Sequence, residues 1–215
     1  MSKSSVFNEL SSILEKACQH LVDCPWEDKN FYAAWIAQTN YYSRHTTRLL
    51  ALAGALTPME NQEMHNRFLK HAAEEKGHEK LTLLDLKYFD EKLESFPEMP
   101  CTQSFYQTQY YWIEHQDPMA FFGFILYLEC AAAKIGGPIT KRVEALYGPK
   151  ACHFLRVHAE EDVDHAAEAI AKVEKFPPNI QAMIIENLKQ SADNYENILN
   201  ACARYAQKAA GKAAA

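Results

Sequence analysis

Apolar residues recur along this chain at three- and four-residue intervals, the spacing that keeps one face of an α-helix out of water. No stretch alternates convincingly as a half-buried strand would. Phe7, Leu10, Leu14 and Ala17 predict a first helix from about Ser5 to Val22, closed by Pro25. A second runs from about Lys29 to Leu52, with Gly54 and Pro58 in the break after it, and a third from about Met59 to Phe89. Pro97 and Pro100 mark a loop, and a fourth helix covers about Gln103 to Glu114. Asp117-Pro118 reads as an N-cap with proline at the first helical position. It opens a fifth helix to about Leu146, which Gly136-Gly137-Pro138 should kink. Gly148-Pro149 starts a sixth helix, to about Lys175, and Pro177-Pro178 opens a seventh, to about Ala209. Long helices joined by short breaks predict a single all-α bundle over residues 1–208, followed by a low-complexity, fraying tail over 209–215.

Composition narrows the class. With 215 residues, of which 48% are hydrophobic, the chain can bury a sizeable core. Seven glycines and nine prolines are too few turn residues for an all-β fold of this length. A net charge of −6 and scattered Lys and Arg argue against a nucleic-acid partner, which needs a basic surface. Six cysteines without a CxxC pair, behind a start that lacks an apolar leader segment, predict reduced thiols and a cytoplasmic location. The longest apolar stretch, Met119 to Leu128, is too short to span a bilayer, so no membrane role is expected.

Two eight-residue blocks carry the chemistry: His71-Ala-Ala-Glu-Glu75-Lys-Gly-His78 and His158-Ala-Glu-Glu-Asp162-Val-Asp-His165. Both read His-x-x-x-acid-x-x-His. At ~100° per residue, positions i, i+4 and i+7 fall within about 60° of one another, so a continuous helix puts two imidazoles and a carboxylate on one stripe. Imidazole with carboxylate suits iron, zinc or manganese, and a set without thiolate argues against a structural zinc site. Glu75-x-x-His78 and Asp162-x-x-His165 match the acid-x-x-His unit of bundle di-iron sites.

Glu129 stands in an otherwise apolar run, Phe121-Phe-Gly-Phe-Ile-Leu-Tyr-Leu-Glu129-Cys-Ala-Ala-Ala. A carboxylate there needs a partner, and a metal would supply one. A further ligand could come from helix two, where His45 shares the neighbourhood with Gln38 and Asn40. Acidic runs such as Glu74-Glu75 and Glu160-Glu161-Asp162 are, taken singly, ordinary solvated faces. Recurrence of the pattern, with an acid in an apolar helix, favours metal. Glu74, Glu160, Glu161 and Asp164 are read as solvent-facing or as groups that orient a ligand imidazole. The tyrosines at 41, 42, 110, 111 and 127 are read mainly as core, and Arg44 and Arg48 as surface cations that could also hold a substrate carboxylate.

These motifs resemble those of the iron-containing redox enzymes with a heme-oxygenase-like fold, which are related in fold to thiaminase II and to pyrroloquinoline-quinone synthase-like proteins. His71-Ala-Ala-Glu-Glu-Lys-Gly-His-Glu-Lys-Leu with Asp85-Leu is similar to that family's third core helix. Tyr127-Leu-Glu129 followed by Gly136-Gly137 is similar to the fifth, and Phe154-Leu-Arg-Val-His-Ala-Glu-Glu-Asp-Val-Asp-His to the sixth. The likeness runs from about Phe31 to Leu199.

The resemblance implies a seven-helix heme-oxygenase-like bundle with two non-heme iron ions, manganese being possible with the same ligands. Glu75, His78, Glu129, His158, Asp162 and His165 would be ligands. Helix two has no clear glutamate, and His45 or His71 would take that place. The implied activity is that of an O2-dependent oxidase or oxygenase acting on an amino-acid- or fatty-acid-like small molecule, in a chain that could pair as a homodimer. Phe122, Ile125 and Leu126 share the face of Glu129 and could line the substrate pocket. Competing readings are a thiaminase-II-like, metal-free hydrolase with a cysteine nucleophile, a heme-binding protein using His20, and a ferritin-like metal-binding protein.

Overall fold

A computed structural model describes the backbone of residues 3–213, with side chains over 9–160 and 166–211. Among these residues there are helices and turns but no strand. The elements are α1 (Lys3–Asp23), α2 (Lys29–Ser43), α3 (Thr46–Leu56), α4 (Gln62–Glu74), α5 (Glu79–Tyr88), α6 (Pro100–His115), α7 (Phe122–Ala131), α8 (Gly137–Tyr147), α9 (His153–Val173) and α10 (Pro178–Ala213). The fold is all-α, and α10 carries the alanine-rich tail in helical form as far as Ala213.

Three of the expected helices are divided. The second breaks at Arg44-His45, where the His45 amide turns back to the Tyr42 carbonyl at 2.9 Å. The third breaks at residues 75–78, where Gly77 takes φ 98°, a conformation that costs an L side chain energy but glycine almost none. The kink expected at Gly136-Gly137-Pro138 appears one turn earlier, as a π-helical turn over Ala132–Gly136. Pro138 lacks the amide needed to close an ordinary turn, and a widened turn upstream accommodates that loss. Asp117 caps as its sequence predicts, accepting from the Met119 amide at 2.8 Å.

The core is strongly aromatic. Trp26 in the α1–α2 connection is fully buried, with Phe31 and Trp35 edge-on to it at 5.4 and 5.2 Å. Buried polar tips fix these rings: the Trp26 indole donates to the Leu21 carbonyl, the Tyr32 hydroxyl to Ala151, and the Trp35 indole to the Tyr195 hydroxyl. Gln38 and Asn40, weighed above as neighbours of a ligand, are buried structural ties. Gln38 bonds Met99 and Thr102 ahead of and within α6, and Asn40 bonds Glu79 and Thr82 on α5.

The run Pro118–Tyr147 is long and apolar enough, by length and composition, to cross a membrane, longer than its sequence stretch suggested. Its most apolar window is 72% buried, and α7 packs against α9 and α10, so it is a core helix.

Candidate metal centre

Glu75 and His78 flank the tight turn that ends α4, Glu75 as its C-cap and His78 as the residue before α5. The stripe predicted for this block therefore holds only for His71 and Glu75, one helical turn apart. His78 reaches the site because the chain folds back at Gly77, leaving its Nδ1 3.4 Å from Glu75 Oε2. His158 arrives from α9. Its Nδ1 lies 2.9 Å from the Phe154 carbonyl, which only accepts, so Nδ1 carries a proton and a neutral ring keeps its lone pair on Nε2. Glu75, His78 and His158 each offer one donor atom within 4.8 Å of the others.

Glu129 comes from the last turn of α7, 5% exposed. Its Oε1 is 3.1 Å from His71 Nε2, and the same nitrogen is 3.6 Å from Glu75 Oε1. His71 thus joins the two carboxylates. Burial alone would lower its pKa, but hydrogen bonds and charge from Glu129 and Glu75 prevail and raise it to about 9. Glu75 is pushed up by burial, yet His71, His78 and His158 together hold it well below the usual glutamate range.

Asp162 and His165 were predicted on the same side of α9. The helix is continuous through them, but their side chains lie outside the described residues. His45 is placed elsewhere. It is stacked on Tyr106 at 3.8 Å, bonded to the Tyr110 hydroxyl at 3.0 Å, and belongs neither to this cluster nor to the cavity beside it. The α2–α3 break commits the ring to α6, and His71 is the additional imidazole at the site. Arg44 and Arg48 also stay away from it: Arg44 pairs with Glu98 at 3.5 Å and lies over Tyr41, and Arg48 donates to the Arg44 carbonyl. His20 lies between α1 and α10, 3.8 Å from Glu196, and does not line the cavity beside the cluster.

The donor set fits iron. Atoms held roughly 2.1 Å from a shared ion stand about 3–4 Å apart, the separations found among His71, Glu75, His78 and Glu129. Nitrogen and oxygen donors without thiolate exclude a cysteine-rich zinc site.

A cavity of about 120 Å³ adjoins this cluster. His71, Glu75, Glu129 and His158 form one part of its wall, and among the described residues no lysine or arginine lines it. The rest is largely aromatic and aliphatic, including Trp26, Trp35, Phe121, Phe124, Phe154 and Ile125. Of the three pocket residues expected from the face of Glu129, only Ile125 lines it. Phe122 turns instead to Phe68 and Phe176, and Leu126 is packed in the core. Tyr127, read above as core, lines the cavity, as do Ser43 and Thr46 at the α2–α3 break and Tyr195 of α10. Nothing in the sequence near these last three distinguishes them from ordinary helix residues.

Comparison with known proteins agrees with the architecture. A domain of unknown function with a heme oxygenase-like fold from Shewanella denitrificans superposes with a TM-score of 0.83 at 19% identity, covering 96% of this chain and 94% of that one. A TenA homolog from Pseudomonas syringae gives 0.76 at 13% identity, covering 94% and 92%. A CADD-like protein of unknown function from Nostoc punctiforme gives 0.67 at 14%, covering 97% of both. No curated protein matches the chain. The profile of the iron-containing redox enzymes matches residues 33–196, which include every donor of the cluster, and the chain belongs to that family.

Proposed function

We propose that the protein is an O2-dependent, non-heme di-iron oxidoreductase whose substrate is a small, largely apolar molecule of amino-acid or fatty-acid type. The observation that carries this reading is the direct adjoining of an apolar cavity to a cluster of imidazoles and carboxylates. Glu75, His78, Glu129 and His158 would hold the metal, with His71 beside them and Asp162 and His165 completing the set; manganese suits the same donors. Iron, when bound, supplies electrons for O2 reduction.

The chain's own residues supply binding and exclusion. Aromatic walls desolvate an apolar substrate and keep bulk water from the carboxylates. His158 is oriented by its bond to the Phe154 carbonyl, so its free nitrogen is fixed before any ligand arrives. A substrate carboxylate has a favourable partner at the cluster end, where His71 lies in the wall. We place the protein in the cytoplasm, where its six free thiols stay reduced.

A cysteine-dependent hydrolase reading is less well supported. None of the six cysteines lines the cavity, and burial pushes Cys24 up to about 12 and Cys152 up to about 11, away from thiolate chemistry. The test is anaerobic loading with ferrous iron. About two irons per chain are expected, with O2 consumption on mixing. Stoichiometric iron surviving His78→Ala with His165→Ala, or no O2 uptake with any substrate, would overturn the proposal.

A further inference from the structure

Asp85 lies on α5, seven residues after His78, and is completely buried. Its carboxylate reaches across to the first turn of α9. Oδ1 accepts from the His153 amide at 2.8 Å and from His153 Nδ1 at 2.8 Å, and Oδ2 accepts from the Phe154 amide at 3.0 Å. Helix α9 has no cap from its own preceding residue, Cys152. The amides a helix leaves open at its start are here satisfied by a side chain from another helix.

Phe154 is the next link. Its ring stacks on His158 at 4.0 Å, and its carbonyl accepts from His158 Nδ1 at 2.9 Å. The residue Asp85 holds by the amide therefore holds His158 by both ring and carbonyl. At the other end of α5, the His78 ring meets His158 edge-on at 5.0 Å. One end of α5 sets the start of α9, and the other presents His78 to the imidazole that α9 carries. Burial raises the Asp85 pKa, against the opposing pull of the two amides and His153.

We infer that Asp85 is a positioning residue for the metal centre: by capping α9 from α5 it fixes the register of the two helices and the ring orientation and tautomer of His158. The inference rests on the metal-centre reading for its consequence, but not for its geometry. Asp85→Asn is the sharpest perturbation. If the amide oxygen stays on His153, the amide nitrogen faces the Phe154 N–H, donor against donor, and the link to Phe154 is cut.

The experiment compares wild type, Asp85→Asn and Ile198→Ala, the last a buried α10 substitution outside the cavity wall that serves as the stability control. In metal-free protein, 15N-detected imidazole NMR should show His158 as one Nδ1–H tautomer in wild type and Ile198→Ala, and as a mixture in Asp85→Asn. Anaerobic Co2+ titration, followed by the visible d–d bands, should show affinity falling about 10- to 100-fold in Asp85→Asn and changing less than about twofold in Ile198→Ala. A wild-type tautomer pattern in Asp85→Asn overturns the inference. So does Co2+ affinity that is unchanged in that variant, or equally weakened in the control. If wild type binds no Co2+, the metal-centre reading fails and the tautomer pattern alone decides the role of Asp85.

Discussion

Gly123 sits in the first turn of α7, against α10. A Cβ built there would lie 2.4 Å from the Ile184 carbonyl oxygen, 2.5 Å from the Leu188 amide nitrogen and 2.7 Å from Asn187 Oδ1. Two of these are backbone atoms of a long helix and cannot rotate aside. Restoring ordinary contact near 3.5 Å requires the helices to part by about 1 Å. Overpacking of this kind costs ~1–3 kcal/mol, and rigid neighbours place it at the upper end. Alanine in place of glycine inside a helix returns ~1 kcal/mol. Gly123→Ala should therefore destabilise by about 2 kcal/mol, a fall in Tm of roughly 4–8 °C for a chain this long. Gly211→Ala is the matched control. Its added Cβ meets nothing within 4 Å on the helical backbone of α10, so it should not destabilise and should gain up to ~1 kcal/mol. Thermal unfolding followed by circular dichroism at 222 nm reads both. A Gly123→Ala protein as stable as wild type would refute the claim that a glycine contact sets the α7–α10 separation. Because α7 carries Glu129, the same substitution should also disturb its 3.1 Å approach to His71.

Other predictions are more local. Asp28 accepts from the Asn30 amide at 2.8 Å as the N-cap of α2, so Asp28→Ala should cost ~0.5–2 kcal/mol, read as a lower urea midpoint. Gln109, Asn187 and Ser191 form a fully buried polar group, with Asn187 Nδ2 donating to Gln109 Oε1 at 2.8 Å. Gln109→Leu removes that acceptor and should destabilise by ~1–3 kcal/mol; an unchanged urea midpoint would contradict this. Burial and the charges of Arg44 and Arg48 hold the His45 pKa below 6.5, against a weaker opposing pull from Glu98. The unfolded chain then takes up this proton first, so the contribution to stability is present above 6.5 and is lost as pH falls below it. An NMR titration should place the His45 midpoint below 6.5, and a midpoint at or above that value refutes the assignment.

The helical periodicity made the bundle legible, because burying one face of each helix is a local requirement that every third or fourth residue records. Glu129 was legible for a related reason: a carboxylate in an apolar helix is anomalous wherever that helix packs. The turn at 75–78 was marked by Gly77, yet the spacing of His71, Glu75 and His78 also suits a continuous helix, and spacing alone favours the helix. The break at Arg44-His45 left no glycine or proline signature, which is why His45 read as a possible ligand. Its ring is fixed by Tyr106 and Tyr110, residues some sixty positions away.

By itself, then, the sequence determined the all-α class and the chain segments that carry Glu75, Glu129 and His158. These follow from local periodicity and from the chemistry of side chains. Tertiary structure alone decided that His71 rather than His45 joins the carboxylates, and that Ile125 faces the cavity while Phe122 and Leu126 do not. It also decided that Asp85 caps a helix sixty-eight residues away. Each of those outcomes depends on the relative placement of two helices, which is set by the packing of every residue between them and is written in no single stretch of chain.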